Sequence, residues 1–496
     1  MPPVACHSES FSVSGEKISV FLNPGTTDNT VIFSFLNFLN SPGNLPVCPK
    51  TAGKSPKRSG NCFALILFDE MSSTVPTLPE RATKFKKMKS FQIPDTFRSP
   101  VIGAIKEFRR KEDKMKKDFT PTVLDFGPVR FLIARHFGFC YGVENAVETA
   151  YQIISEYKGR SIYLLSEMIH NPEVNHDLQS QGVRFILDTS GKQLIPWENL
   201  KADDVVIIPA FGTTLEIQQK LAEIGIETKQ FDTTCPFVEK VWKRASSIGQ
   251  SDYTVVIHGK PTHEETRATF SHARQNAPTV VVKDLAEARK LAAYIRGDQS
   301  AETFYEEFKG QFSEGFDVSR HLQRIGVVNQ TTMLASDTQG IADYLRQVMI
   351  EVFGIKGPDV TAHFADTRDT LCYATNDNQT ATYGLLKEQA DLCVVAGGYN
   401  SSNTSHLVEL CEAQLPTYFI ANADKLLDGR LIRHYDLHGK VEKVTEAYLP
   451  EQGPVTIMLT CGASCPDKVV EDILLRLLSF FPGSASLESV MERVYR

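Results

Sequence analysis

The chain has 496 residues, of which 42% are hydrophobic and 23% charged, values typical of a globular protein with several domains and a large core. Its formal net charge of −7 argues against broad nucleic-acid binding, and it has no run of about 18 uncharged apolar residues that would predict a membrane span. In a chain of this size without a clear secretory signal, its ten cysteines are expected to be reduced thiols rather than disulfides.

Residues 1–87 differ in composition from the rest of the chain. They are rich in Ser, Thr, Pro and Asn and show no sustained hydrophobic periodicity, so we expect disorder there. The segment is either an organelle transit peptide or sequence that precedes a true start at Met88. Residues 88–128 are predicted to form a basic lead-in, with a helix over 101–117 whose lysines and arginines form a solvated face.

From residue 131 onward, strand-like apolar runs alternate with helical patterns. Strands are predicted at 131–134, 161–165, 205–209, 253–258, 279–282, 324–328, 392–396, 417–420 and 455–460, and helices at 144–156, 214–224, 237–248, 284–294, 335–353, 380–389, 406–412 and 466–481. This alternation predicts an α/β fold with parallel sheets, in which ligands bind at the carboxyl ends of the strands. Residues 295–325 are predicted to be an amphipathic helical insertion, and residues 483–496 a peripheral tail.

Three cysteines each stand at the entrance of a predicted helix. Cys140 lies between two glycines, Cys235 precedes Pro236, and Cys372 precedes a third helical pattern. A helix N-terminus lowers the pKa of a thiol and favours thiolate, whereas a lone cysteine is more often a small buried hydrophobe. Three such positions about a hundred residues apart predict three similar lobes, each offering one thiolate to a shared centre.

Three soft ligands suit an iron–sulfur cluster. In a four-iron cluster they would leave one iron without a protein ligand, free to bind substrate as a Lewis acid. A structural zinc site is an alternative, but it normally needs a fourth Cys or His ligand, and His136 is the only obvious candidate.

Polar residues follow several predicted strands and indicate an anion site. The run Asn400-Ser401-Ser402-Asn403 after two glycines offers backbone N–H groups and short side-chain donors without a Walker lysine, and Ser464 lies in a smaller loop of the same kind. Helix capping by Ser402 or Asn403 is the alternative, but a cap uses only one such residue.

Two histidines and a glutamate complete the candidate site. His170 and His263 each lie in a polar turn after a strand, and two imidazoles beside a hydroxyl-rich loop suit a diphosphate. Glu265 is a candidate proton donor if its pKa is raised, although a carboxylate in the first turn of a helix also interacts favourably with the helix dipole.

Eight motifs, in order along the chain, resemble those of the LytB/IspH family of 4-hydroxy-3-methylbut-2-enyl diphosphate reductases. They are Gly138-Phe139-Cys140-x-Gly-Val, His170-Asn171, Asp232-x-Thr-Cys235-Pro236, His263-x-Glu265, Gln330-Thr331-Thr332, Cys372-x-Ala-Thr375-x-x-x-Gln379, Asn400-Ser401-Ser402-Asn403 and Gly462-Ala463-Ser464-x-Pro466-Asp467. The resemblance spans about residues 129–482.

This resemblance implies a three-lobed α/β trefoil with pseudo-threefold symmetry and small parallel sheets around one [4Fe–4S] cluster. We expect lobes at 129–235, 236–371 and 372–482, with Cys140, Cys235 and Cys372 as cluster ligands and one open iron. It further implies a catalytic pair, Glu265 and Thr331, and a set of substrate-binding residues: His170, His263, Thr375, Ser401, Ser402, Asn403 and Ser464. The implied reaction is the last step of the non-mevalonate isoprenoid pathway, a reductive dehydroxylation to isopentenyl and dimethylallyl diphosphate.

The resemblance also implies a diphosphate substrate and an electron-donor protein, ferredoxin or flavodoxin. It implies a bacterial-type cytoplasmic protein, or a protein of the plastid stroma if residues 1–87 are a transit peptide. The chain departs from many bacterial members, which carry a histidine where Phe211 stands, so that diphosphate contact is missing or replaced. This phenylalanine and the 295–325 insertion look like the plant and cyanobacterial branch. A non-redox [4Fe–4S] hydro-lyase remains the alternative enzyme.

Overall fold

The computed structural model describes residues 92–355, 357–365 and 370–495, together with an antiparallel hairpin, β1 (Ser8–Val13) and β2 (Glu16–Phe21). The chain divides into two units, Met1–Phe85 and Lys86–Arg496. Most of residues 1–87, for which disorder is predicted, lies outside the described residues. The hairpin is a strand pair that the sequence analysis does not predict, because each strand is too short to give sustained periodicity.

The second unit alternates helices and strands along most of its length. In chain order these are α1 (Pro100–Glu112), β3 (Thr122–Asp125), β4 (Val129–Ile133), α2 (Tyr141–Glu156), β5 (Ile162–Leu164), α3 (Pro172–Ser180), β6 (Arg184–Phe185), β7 (Val205–Ile207), α4 (Leu215–Ile224), α5 (Pro236–Gln250), β8 (Thr254–His258), α6 (Glu264–Ala273), β9 (Thr279–Val282), α7 (Leu285–Arg296), α8 (Ala301–Glu307), α9 (Val318–His321), β10 (Ile325–Asn329), α10 (Ala335–Phe353), α11 (Tyr373–Leu385), β11 (Leu392–Ala396), α12 (Ser402–Glu412), β12 (Thr417–Ile420), β13 (Leu431–Asp436), β14 (Val441–Glu446), β15 (Val455–Cys461), α13 (Asp467–Leu478) and α14 (Leu487–Val494). None of the helices in the described ranges is long and apolar enough to cross a membrane.

The strands of the second unit form three sheets, one in each of three α/β lobes, which confirms the predicted fold class. Two sheets have three parallel strands each, in the orders β6-β5-β7 and β10-β8-β9. Their strands are largely buried, as expected for parallel sheets covered on both faces. The third sheet is larger and mixed, because β3, β13 and β14 add antiparallel strands to the parallel set β12-β11-β15-β4.

The third sheet joins the two ends of the second unit. Strand β4, which the predicted boundaries assign to the first lobe, pairs in parallel with β15, with Val129 opposite Val455. The apolar pattern identifies β4 as a strand but does not say which strand it pairs with. The predicted boundaries therefore place β4 in the first lobe, whereas its parallel partner β15 belongs to the third. Residues 483–496 are not a peripheral tail: α14 packs on β3 and buries Val490 and Met491.

Three helices begin directly after the three candidate cysteines. Helices α2, α5 and α11 start at Tyr141, Pro236 and Tyr373, up to seven residues earlier than the hydrophobic periodicity predicts. The first turns of α11 are buried but polar: the Gln379 side chain accepts a hydrogen bond from the Ala335 N–H at 3.0 Å. Polar burial of this kind gives no hydrophobic signal in the sequence.

The 295–325 insertion contains the short helices α8 and α9, packed around one aromatic side chain. The fully buried Phe304 ring stacks on Phe308 at 5.0 Å and on Phe316 at 5.3 Å between centroids. Stacked aromatic pairs add to the stabilisation from burial alone. The insertion is therefore part of the core of the second lobe.

Candidate active site

A small cavity of about 80 Å³ is lined by residues of all three lobes. The lining includes the three candidate cysteines and most of the polar residues predicted for the site: Cys140, His170, Cys235, Glu265, Thr331, Cys372, Thr375, Ser401, Ser402, Asn403 and Ser464. Residues that are far apart in the sequence thus come together on one cavity.

The three thiols occupy equivalent positions, because Cys140, Cys235 and Cys372 are each the N-cap residue of their helix. Backbone N–H groups of the first helical turn point at each sulfur and lower its pKa, as the sequence analysis expects. Burial is the larger effect, however, and raises the pKa of Cys140 to about 12, of Cys235 to about 11, and of Cys372 above its ordinary value. The net direction is therefore the opposite of the lowering that the helix N-terminus alone predicts.

Gly142 explains how two of the sulfurs approach each other. A Cβ atom at this position would lie 2.5 Å from Cys235 Sγ and 3.9 Å from Cys140 Sγ. A side chain here would displace the Cys235 sulfur, so the missing Cβ leaves room for both thiols on the same cavity. Within the described residues, no three His, Cys, Asp or Glu side chains converge on the position of a single metal ion.

Glu265 is a fully buried carboxyl held by one neighbour. The Thr331 hydroxyl donates to Glu265 Oε2 at 3.0 Å, and the Thr331 backbone N–H donates to Oε1. Burial raises the pKa of Glu265 to about 7, against the lowering effect of these two hydrogen bonds. This carboxyl can therefore hold a proton near neutral pH and release it inside the cavity.

His263 presents a donor that has no acceptor. Its Nδ1 accepts a hydrogen bond from the Glu265 backbone N–H at 3.2 Å, and burial lowers its pKa well below the ordinary value. The neutral ring must then carry its hydrogen on Nε2, which is buried and has no partner among the residues that the structure describes. A buried, unpaired N–H costs free energy unless a ligand oxygen accepts from it.

The N-terminus of α12 presents two more donors of this kind. Asn403 Oδ1 accepts from the Ala463 N–H at 2.8 Å, which turns the amide nitrogen Nδ2 away, and that nitrogen is buried without a partner. Ser402 Oγ is likewise buried and unpaired. Together with the helix dipole, these donors are of the kind that binds an anion.

Three other predicted residues have partners within the protein. Ser401, rather than Ser402 or Asn403 as the capping alternative expected, is the N-cap of α12, and its Oγ accepts from the Thr404 N–H. Ser464 donates to the His170 carbonyl at 3.1 Å. The Thr375 hydroxyl and N–H both bond to the Cys372 sulfur, which indicates a role at the thiol as well as on the cavity wall.

The family model described as LytB protein matches residues 131–478. The chain belongs to the LytB family. It is 40% identical over 354 residues to the 4-hydroxy-3-methylbut-2-enyl diphosphate reductase of Gloeobacter violaceus, covering 71% of this chain and 83% of the relative. It is 41% identical over 354 residues to the protein of the same name from Picosynechococcus, covering 71% and 85%.

A solved structure shares the fold of this LytB family member. The E-1-hydroxy-2-methyl-but-2-enyl-4-diphosphate reductase from Plasmodium falciparum is 21% identical, with a TM-score of 0.50, and the match covers 71% of this chain and 89% of that one. The sequence-based prediction of the family is confirmed, and the cyanobacterial relatives fit the predicted branch.

Phe211 is the residue at which the sequence analysis expects a missing or replaced diphosphate contact. Its ring stacks on His170 at 4.2 Å between centroids and meets the His263 ring edge-on at 5.8 Å. The two histidine rings are themselves 5.1 Å apart. Phe211 thus donates no hydrogen bond but fixes the orientation of both imidazoles.

Glu264 is a site residue that the sequence analysis does not assign. His170 Nε2 lies 2.9 Å from Glu264 Oε2, and both side chains are about 7% exposed. The carboxylate therefore accepts from the ring and orients it. In the sequence, Glu264 is marked only by its position between His263 and Glu265. Its contact with His170 could not be predicted, because the two residues are 94 positions apart in the chain.

Proposed function

We propose that this protein is a 4-hydroxy-3-methylbut-2-enyl diphosphate reductase. Two electrons and two protons break the C–O bond of the substrate hydroxyl, release it as water, and give isopentenyl or dimethylallyl diphosphate. One observation carries this proposal: a single cavity holds three thiols, a carboxyl with a pKa of about 7 and a set of unpaired buried donors. A reducing partner must supply the electrons.

Cys140, Cys235 and Cys372 would hold the [4Fe–4S] cluster. Their fit rests on the three equivalent N-cap positions, on the shared cavity and on the space that Gly142 leaves for two sulfurs. When bound, the cluster supplies electrons and an open iron that acts as a Lewis acid toward the substrate hydroxyl.

The diphosphate is bound by the unpaired donors. The His263 Nε2–H, the Ser402 hydroxyl and the Asn403 amide each gain an acceptor when the phosphate oxygens enter, which removes three unsatisfied groups at once. Ser464 can join them by releasing the His170 carbonyl. His170, oriented by Phe211 and Glu264, completes the binding set.

Glu265 supplies a proton through its carboxyl, and Thr331 keeps that carboxyl in place. The raised pKa leaves about half of the carboxyl protonated near pH 7, and the Thr331 hydroxyl can pass a proton because it both donates and accepts. The surrounding burial excludes water from this transfer.

The function is tested by anaerobic assay with dithionite, a viologen dye and the hydroxylated diphosphate. We expect brown protein with about four irons per chain and isoprenoid diphosphate as product. Brown protein with no electron-dependent turnover would favour the hydro-lyase. Colourless protein with one zinc would contradict both enzymes.

Replacing Glu264 with alanine should weaken substrate binding more than it slows the reaction. Loss of a hydrogen bond to a charged group costs about 1.5–3 kcal/mol, so we expect KM to rise about tenfold or more while kcat changes less. Glu264→Gln keeps an acceptor and should show a smaller rise. Steady-state kinetics provide the measurement, with Glu223→Ala on the exposed face of α4 as control. An unchanged KM would show that His170 needs no support from Glu264.

A further inference from the structure

Aromatic side chains stand at the protein surface beside the candidate cysteines. Tyr141 and Tyr373, each the residue after a cysteine, are both 42% exposed, and Phe237, two residues after Cys235, is half-buried. The Ser402 and Asn403 donors that would hold substrate are by contrast buried on the cavity wall. The aromatic rings next to the thiols can therefore be touched by a second protein.

Two of these rings form one surface with a basic segment. The Phe237 and Tyr373 rings are 4.9 Å apart between centroids, and Lys116 Nζ lies 5.6 Å from the centre of the Tyr373 ring. Lys116 also lies 3.4 Å from Asp377 on α11. We call Lys114, Lys116, Lys117, Phe237 and Tyr373 the lysine–aromatic face.

The segment that carries the lysines of the lysine–aromatic face reverses the charge of the molecule locally. Residues 106–117 carry seven basic and three acidic side chains, whereas the whole chain has a formal net charge of −7. In the described part of the chain, Lys114 and Lys117 have no ion-pair partner, so their charge is available to another molecule. Between them, Met115 is 72% exposed, and methionine and aromatic residues are enriched at protein interfaces.

We propose that the lysine–aromatic face is the docking surface for a small acidic electron-carrier protein. This inference rests on the proposed function, because only a reductase needs such a partner. Electron transfer weakens steeply with distance, so the carrier must approach the side of the molecule where groups next to the thiols reach the surface. An acidic carrier is repelled by the overall negative charge, and a local basic face selects the productive orientation.

The test is the charge-reversed triple variant Lys114→Glu/Lys116→Glu/Lys117→Glu. Binding of an acidic [2Fe–2S] ferredoxin, used as the probe, is measured by calorimetry at low and at high salt. We expect the Kd to rise at least tenfold at low salt and the salt dependence to shrink, because screening removes exposed charge pairs. The turnover supported by reduced ferredoxin should fall in parallel, and the turnover supported by reduced viologen should stay at the level of the unmodified protein.

A matched control carries the same charge change elsewhere. Lys158→Glu/Lys192→Glu/Lys220→Glu reverses three exposed lysines of the first three-stranded lobe and should leave ferredoxin binding within about twofold of the unmodified protein. Equal weakening by both triples would show only a general charge effect and overturn the docking surface. Unchanged binding by the first triple would overturn it as well.

The binding measurement separates this proposal from the proposed function. If the unmodified protein lacks reductase activity with viologen, the function fails whatever the calorimetry gives. If the viologen assay succeeds and ferredoxin binds both triples equally, the docking surface alone fails. The milder variant Lys114→Ala/Lys117→Ala, which only removes charge, should shift the Kd in the same direction by a smaller factor.

Discussion

Glu265→Gln is expected to lower kcat by about 100-fold or more, the usual contribution of a positioned general acid. Glutamine has the same shape and can still accept from Thr331, but it holds no transferable proton. Iron content, the visible spectrum and substrate affinity should therefore stay close to those of the unmodified protein. Single-turnover and steady-state assays with viologen give the measurement. A variant with the original rate would show that the proton comes from another group.

The pH dependence of the unmodified protein provides a second check on Glu265. The protonated carboxyl is the donor, and its pKa is raised from 4.5 to about 7 by burial. The rate should therefore be level at low pH and fall as the pH rises through about 7, whereas Glu265→Gln should lose this step.

The same shift has a consequence for stability. The folded protein holds this proton more tightly than the unfolded chain, so the carboxyl stabilises the fold below pH 4.5 and loses this contribution as the pH rises through about 7. The free energy of unfolding of Glu265→Gln should depend less on pH across this interval.

Cys235→Ser is expected to abolish the iron–sulfur cluster rather than merely slow the enzyme. A serine oxygen is a poor ligand for soft metal ions that prefer thiolates, and among the described residues only three cysteines line the cavity. The purified variant should lose most of its iron, sulfide and visible absorbance, and its activity with any reductant. Iron and sulfide counts on anaerobically purified protein give the result.

Cys411 provides the control for that substitution. It is fully buried in the core of the third lobe and does not line the cavity. Cys411→Ala should keep the full iron content while losing some stability, because it removes a packed sulfur. A fully loaded and active Cys235→Ser protein would exclude Cys235 as a ligand.

Much of the site could be predicted from the sequence because its residues stand beside recognisable elements. Helix entrances identified the three cysteines, and the glycines before Asn400 identified the loop that leads into α12. The sequence names Glu265 as a proton donor only on the condition that its pKa is raised. The burial that raises this pKa depends on all three lobes and cannot be read from the sequence.

Other features were invisible because they depend on pairing across the fold. The contact of Glu264 with His170 and the stacking of Phe211 on the same ring join residues with no shared local pattern. The direction of the thiol pKa shift was predicted wrongly. The helix N-terminus that lowers the pKa is visible in the local sequence, whereas the burial that raises it depends on the whole fold. The start of α11 was missed because its buried side chains are polar.

The pairing of β4 with β15 sets the order in which the site can be assembled. Cys140 follows β4, and its backbone N–H donates to the Ala463 carbonyl at 3.2 Å, just beyond the end of β15. During synthesis on the ribosome, β4 emerges more than 300 residues before β15, so that until then it can pair only with β3 on its other edge. Contacts this distant in sequence form late and slowly. Cys140 therefore reaches its position beside Ala463 only after the chain has been made through β15.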